Sequence, residues 1–263
     1  MPELPEVETI RRQIEPAISN RVVVEAGAFA SDKFTPAREV EGATVVGANR
    51  RGKYLLFPLD DGRELIVHLG MTGQLIPDAP IDDPYLRAWW RLDSGSTIGY
   101  RDVRRFGRIR VTPAGEYEGT LAAIGPEPFS EDFTPTSLHA SLKTSTRHLK
   151  TQLLSQRPVA GLGNIYADEA CFRAGVHPAA RQVSKPRAAR LHAAIIEVLE
   201  QGIKNGGTTL RDYVNAEGET GSNQGHLDCY GRYGEPCVNC GTELRRSTID
   251  ARTTTHCPIC QRR

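Results

Sequence analysis

The chain has 263 residues, of which 39% are hydrophobic and 25% charged, and its formal net charge is +1. That length holds one large domain or two or three smaller ones, and the composition is that of an ordinary globular protein. No apolar run reaches the roughly 18 residues a membrane helix needs, and the acidic, proline-punctuated opening is not a signal-peptide pattern. A cytoplasmic protein with no membrane partner is expected.

In chain order, a helix is predicted from Glu3 to Ile18, because Val7, Ile10, Ile14 and Ile18 recur at helical spacing while Glu8, Arg11, Arg12 and Glu15 face away. The opening Pro2-Glu3-Leu4-Pro5-Glu6 suits a helix start, with proline in the first turn and carboxylates favoured by the macrodipole. A chemical reading stands beside that one. Methionine ahead of a small residue is normally trimmed, and loss of Met1 would leave Pro2 as a secondary amine. With an α-amino pKa of about 7.7–8.0, part of it is neutral and nucleophilic near pH 7. Such an amine can attack a sugar C1′, expel the base and become an iminium, with Glu3 shuttling protons.

Strands are predicted at Val22–Glu25, Thr44–Val46, Tyr54–Leu59, Glu64–Leu69, Trp89–Leu92 and Ile109–Thr112, punctuated by turns such as Asp60-Asp61-Gly62 and Asp93-Ser94-Gly95. Their spacing points to a β-sandwich. Lys53 ends the basic run Arg50-Arg51-Gly52-Lys53, which by itself reads as a solvated strand end. Basic charge gathers in two places. Arg101–Arg110 holds five arginines against Asp102, and six follow Cys229 against Glu235, Glu243 and Asp250. Both clusters suit local phosphate neutralisation, and both also suit a solvated face.

Gly125–Ser137, rich in proline and acids, reads as a linker. Helices are predicted at Ser137–Ser155, Asn164–Ala174 and Pro186–Asn205, the last stopped by Gly206-Gly207. Residues 218–226 read as a flexible loop. Cys237-x2-Cys240 and Cys257-x2-Cys260, 16 residues apart, have the two-knuckle spacing of a ribbon holding one structural Zn²⁺. A disulfide framework or a redox thiol pair is the alternative, and Cys171 and Cys229 read as packed thiols. The expected fold class is α+β: an N-terminal helix plus β-sandwich over 1–125, a helical module over 126–220, and a loop and ribbon over 221–263.

Seven stretches resemble the formamidopyrimidine-DNA glycosylase family: PELPEVET at 2–9, RGKYLL at 51–56, HLGMTG at 68–73, RRFG at 104–107, GLGNIYADEA at 161–170, GGTTL at 206–210 and YGRYGEPC at 230–237. They are colinear over essentially the whole chain. The resemblance implies a helix–two-turns–helix module between the sandwich and the ribbon, with damaged duplex DNA bound across an interdomain cleft by a monomer. It implies Pro2 as Schiff-base nucleophile, Glu3 as proton donor and Glu6 as its support. Lys53 and Arg252 would assist β- and δ-elimination. DNA contacts would come from His68, Lys150 and Asn164, the last at phosphate. Met71, Arg104 and Phe106 would fill the gap left by a flipped base, although Met71 and Phe106 also fit ordinary core packing.

Four departures bear on substrate preference. Val103 stands where the family usually has proline, and Pro84-Tyr85-Leu86-Arg87 replaces a histidine-bearing segment. Ser145 and Thr146 replace lysines, and the loop 221–226 lacks an aromatic residue. The implied activity is excision of oxidised purines followed by β,δ-elimination. The alternatives are an endonuclease VIII-like enzyme acting on oxidised pyrimidines and a catalytically silent binder of damaged DNA.

Overall fold

The computed structural model describes residues 2–262. The chain divides into two compact units, 1–122 joined by 203–222, and 123–202 joined by 223–263. Compactness thus groups 203–222 with the N-terminal residues, a return of the chain that a linear division does not anticipate.

In the first unit, helix α1 (Leu4–Ile18) has Glu3 as its N-cap and buries Leu4, Val7, Ile10, Ile14 and Ile18. Nine strands follow: β1 (Arg21–Ala28), β2 (Thr44–Val45), β3 (Asn49–Arg51), β4 (Tyr54–Pro58), β5 (Arg63–His68), β6 (Gly73–Pro77), β7 (Leu86–Leu92), β8 (Thr97–Asp102) and β9 (Arg108–Pro113). They form a five-stranded sheet in the order β2-β1-β7-β8-β6 and a four-stranded sheet in the order β3-β4-β5-β9. Val23, Trp90 and Ile98 from one sheet and Leu55, Val67 and Ile109 from the other share a single core with the apolar face of α1. Glu8 departs from the expected pattern. It lies on the predicted solvent face of α1, yet it is 9% exposed because three arginines enclose it.

The second unit is helical. After the short α2 (Gly119–Ala123) come α3 (Pro135–Lys143), α4 (Leu149–Leu154), α5 (Asn164–Arg173) and α6 (Lys185–Lys204). The single helix expected over Ser137–Ser155 is two, since α3 ends at Lys143 and α4 starts only at Leu149. A capping box fixes the start of α3: Ser137 N–H donates to Thr134 Oγ1 at 3.0 Å, and Thr134 N–H donates back to Ser137 Oγ at 2.9 Å. The hairpin of β10 (Arg245–Ile249) and β11 (Arg252–His256) completes the unit. No described helix is long and apolar enough to cross a membrane.

Candidate active site and metal centre

Pro2, Glu3 and Glu6 are all buried at the head of α1. The Glu6 carboxylate bridges two segments. Its Oε2 accepts Glu3 N–H at 2.8 Å and its Oε1 accepts Thr208 N–H at 2.7 Å. Gly207, beside it, has φ +87°, and a Cβ there would sit 2.9 Å from Glu6 Cγ. The pair Gly206-Gly207 therefore makes room for a carboxylate as well as ending α6. Tyr213 closes the same corner by donating to Gly206 O at 3.1 Å, and burial followed by the Glu6 charge pushes its phenol well up. Met1, whose removal would free the Pro2 amine, lies outside the described residues.

Lys53 sits in the two-residue turn between β3 and β4, where Arg51 pairs with Tyr54 and Gly52 takes φ +57°. It is only 4% exposed, so the solvated strand-end reading does not hold. A chain of contacts fixes the turn: Arg50 donates to Gly52 O at 3.0 Å and to Glu8 Oε2 at 3.1 Å. Burial would raise the Glu8 carboxyl, but hydrogen bonds from Arg11 and Arg12, with the charge of Arg50, outweigh it and hold the group at about 2. Sequence reasoning missed this hub, because (i, i+3) and (i, i+4) charge pairs usually mark a helix surface.

His68 pairs with Tyr54 across β4 and β5, with ring centroids 4.7 Å apart. Burial, then the charges of Lys53 and Arg108, lower its imidazole to about 4. Gly70 N–H donates to its Nδ1 at 3.2 Å, so the neutral ring carries its proton on Nε2. The imidazole is thus a neutral donor at neutral pH.

Met71, Arg104 and Phe106 lie on two loops of the first unit. Met71 is 40% exposed and Phe106 52%, which excludes the core-packing alternative for both. The guanidinium of Arg104 lies over the Phe106 ring, 4.8 Å from its centroid.

Within the second unit, Lys150 departs from its expected role. It is fully buried, pairs with Asp168 Oδ1 at 2.7 Å, and donates to Thr253 O at 2.8 Å and Thr254 Oγ1 at 3.0 Å. Those partners tie it to the hairpin strand that carries Arg252 rather than to solvent. Asn164 is the first residue of α5 after Gly163, and its Nδ2 donates to Thr253 O at 3.2 Å. Arg252 opens β11 on the surface, just past the turn Asp250-Ala251, where φ is +44° and +64°. Two positive φ values in a two-residue hairpin define a type I′ turn, which costs energy without glycine. Asp250 steadies it by accepting from Thr151 Oγ1 and meeting His148 Nδ1 at 3.0 Å.

The sulfurs of Cys237, Cys240, Cys257 and Cys260 lie within 4.8 Å of one another. Sγ separations of 4.0 Å for Cys237–Cys260 and 3.5 Å for Cys240–Cys257 are far beyond a disulfide bond. They match the roughly 3.8 Å tetrahedron edge implied by Zn–S bonds of about 2.3 Å. Cys171 and Cys229 are buried and outside the four-sulfur group, although Cys229 packs in one core with Cys237 and Cys257, and burial pushes both thiols up.

These features describe a class of protein: a helix-capped β-sandwich that buries carboxylates at the head of its helix and a lysine in a strand turn, and a helical unit with a four-cysteine ribbon. Comparison with known proteins narrows the class. The family model for the formamidopyrimidine-DNA glycosylase N-terminal domain matches residues 1–109, and that for the formamidopyrimidine-DNA glycosylase H2TH domain matches 124–214. The formamidopyrimidine-DNA glycosylase of Bacillus licheniformis is 41% identical, covering 100% of both chains. That of Deinococcus radiodurans is also 41% identical, covering 99% of this chain and 97% of its own. The crystal structure of the MutM (Fpg) protein of Thermus thermophilus superposes with a TM-score of 0.92 at 41% identity, covering 99% and 98% of the two chains. A Lactococcus lactis Fpg mutant in complex with Fapy-dG-containing DNA gives 0.89 at 36% identity, with 100% of both chains covered. The chain belongs to the formamidopyrimidine-DNA glycosylase family.

Proposed function

We propose that this chain is a bifunctional DNA glycosylase/AP lyase of base excision repair. It would excise 8-oxoguanine and formamidopyrimidines from duplex DNA and cut the strand by β,δ-elimination. The observation that supports this reading most is the burial of Pro2, Glu3, Glu6 and Lys53 within one unit of a chain of this family.

In this reading Met1 is removed and the neutral Pro2 amine attacks C1′ of the lesion nucleotide. The N-glycosidic bond breaks, its electrons leave with the base, and the base is protonated. Glu3 carries protons between sugar, amine and base. Glu6, which already accepts Glu3 N–H, holds that residue in place. Opening of the C1′–O4′ bond, with O4′ protonated by Glu3, then gives a ring-opened iminium, which is the electron sink for loss of a C2′ proton and departure of the 3′ phosphate. Lys53 supports this first elimination, and Arg252 supports the second, in which the 5′ phosphate leaves. His68 and Asn164 donate to phosphate. Met71, Arg104 and Phe106 occupy the gap in the stack, with Arg104 reading the opposite base. By task, 1–125 carries the chemistry, 126–220 binds DNA, and 221–263 caps the lesion and carries the ribbon. Cys237, Cys240, Cys257 and Cys260 hold one structural Zn²⁺, which would brace the hairpin of Arg252. The protein would act as a cytoplasmic monomer, reaching the nucleoid through its affinity for DNA.

The test is borohydride trapping on a duplex with 8-oxoguanine opposite cytosine, using protein whose Met1 is confirmed absent by mass spectrometry. A covalent adduct from the processed protein is expected. No adduct from processed protein overturns the mechanism, and preferential turnover of thymine glycol overturns the purine preference.

A further inference from the structure

Met71 lies on the turn between β5 and β6, and Arg104 and Phe106 lie on the turn between β8 and β9. The backbones of these turns meet without an intervening side chain. A Cβ on Gly70, whose φ is +63°, would fall 2.5 Å from Gly107 N, and one on Gly107 would overlap Tyr100 Oη. At the junction lies Asp102, which is fully buried. Its Oδ1 accepts from Thr72 Oγ1 at 2.6 Å, and its Oδ2 accepts from Gly107 N–H at 2.8 Å. The Thr72 hydroxyl is used a second time, accepting Arg104 N–H at 3.2 Å. Arg87, 3% exposed, donates from Nε to Asp102 O at 2.9 Å. Every atom of the relay has a defined direction, since a carboxylate only accepts and the hydroxyl must donate one way and accept the other.

We propose that Thr72 and Asp102 are positioning residues that lock the two gap-filling turns to each other, so that Met71, Arg104 and Phe106 enter DNA as one preset wedge and Arg104 meets the opposite base in a fixed register. The proposal rests on the reading of Arg104 given above. The lock also accounts for Val103 standing without the stiffening of a proline. Arg104 and Gly107, on either side of Arg105 and Phe106, are both held by the relay, so the backbone is constrained from within. Substitution by near-isosteres breaks specific links. Valine at 72 keeps the shape and loses both hydrogen bonds. Asparagine at 102 cannot serve Gly107 N–H and accept the Thr72 proton at once, because one of its two acceptors has become a donor.

The test uses the full-length protein and compares T72V, T72S, D102N and R104A. For each, the rate of 8-oxoguanine excision opposite cytosine is divided by that opposite adenine, and amide hydrogen exchange is followed in the free protein. T72V is expected to lower the ratio about fivefold to tenfold, as loss of hydrogen-bonded register allows. It should also speed exchange at Arg104, while the melting temperature stays within about 5 °C of wild type. T72S restores the hydroxyl and should restore both readouts. D102N should speed exchange at Gly107 as well. An unchanged ratio in T72V, or exchange at Arg104 as slow as in wild type, overturns the proposal. If R104A itself leaves the ratio unchanged, the reading of Arg104 has failed instead, and the exchange data alone then decide whether the lock exists.

Discussion

Glu6 and Thr208 are 202 positions apart in sequence and are joined by a 2.7 Å hydrogen bond from the Thr208 backbone to a carboxylate that is 1% exposed. The same carboxylate caps Glu3, so the head of α1 and the segment after α6 share one acceptor. Substituting Gly207 tests how tightly that corner is built. Gly207→Ala is expected to cost about 1–3 kcal/mol, combining left-handed strain with a contact against Glu6. Gly62→Ala is the control, since Gly62 has φ +84° with nothing within 4 Å of its added Cβ. Denaturant unfolding of both variants should show the larger loss at 207, and only Gly207→Ala should slow base excision. Equal losses would mean that the Glu6 corner yields easily.

Glu8 gives the clearest acid dependence. Its carboxyl is held at about 2 against an ordinary 4.5, so the folded state binds fewer protons than the unfolded chain between those values. The stabilisation is therefore complete above pH 4.5 and is lost as pH falls toward 2. The shift corresponds to at most about 3 kcal/mol. Glu8→Gln should flatten the stability profile over pH 2–4.5 and loosen the turn that carries Lys53. A variant with the wild-type acid limb would show that the three arginines contribute nothing net.

His68 should titrate near 4 in an NMR experiment on the folded protein, with the neutral ring protonated on Nε2. Because its folded value lies below the ordinary 6.5, His68 contributes stability that is present above 6.5 and lost as pH falls toward 4. Lys53→Met removes one of the charges that hold it down, so the midpoint should rise. A midpoint unmoved by that change would place Lys53 away from the ring.

Lys150 separates two roles with one measurement. A phosphate ligand lost from the interface lowers the salt dependence of DNA binding by about one counterion. The buried pair with Asp168 leads us to expect that slope to be unchanged in Lys150→Met, whereas stability falls by about 3–5 kcal/mol because Asp168 is left buried and uncompensated. Lys150→Met/Asp168→Asn should recover part of that loss. A reduced salt slope would restore Lys150 to the DNA interface.

Native protein is expected to carry about one zinc per chain, given the tetrahedral sulfur spacing. Chelation, or Cys257→Ser, should lower the melting temperature of the second unit and weaken DNA cleavage more than DNA binding. Metal-free native protein of full stability would refute the ribbon assignment.

Much of this was legible in the sequence. The alternation and turns around β4, β5 and β9 marked the sandwich, the periodicity of Val7, Ile10, Ile14 and Ile18 marked α1, and the cysteine spacing marked the cluster. Strands β3, β6 and β8 went unmarked, because Asn49–Arg51 is short and basic, Gly73–Pro77 ends in proline, and Gly99 interrupts Thr97–Asp102. Within the candidate site, the family resemblance pointed to Pro2, Lys53 and Arg252 as expectations, but the sequence could not reveal what surrounds them. Glu8 looks like a surface residue until Arg50 arrives from another strand. Lys150 looks like a phosphate contact until Asp168 and the hairpin enclose it. Such pairings span tens of residues and leave no local periodicity to read.

The first unit draws on two stretches of chain with 80 residues between them, since 203–222 belongs with 1–122. Gln13 of α1 accepts Ala216 N–H at 3.0 Å, and Ala216 joins the sandwich core. During synthesis, then, the Glu6 corner is left unfinished until the ribosome has also translated residues 123–202. A nascent chain that stalls before Thr208 lacks one of the two backbone donors to Glu6, and one that stalls before Ala216 leaves a core edge uncovered. Quality control acting on partly made chains would meet a first unit that is incomplete until late in translation.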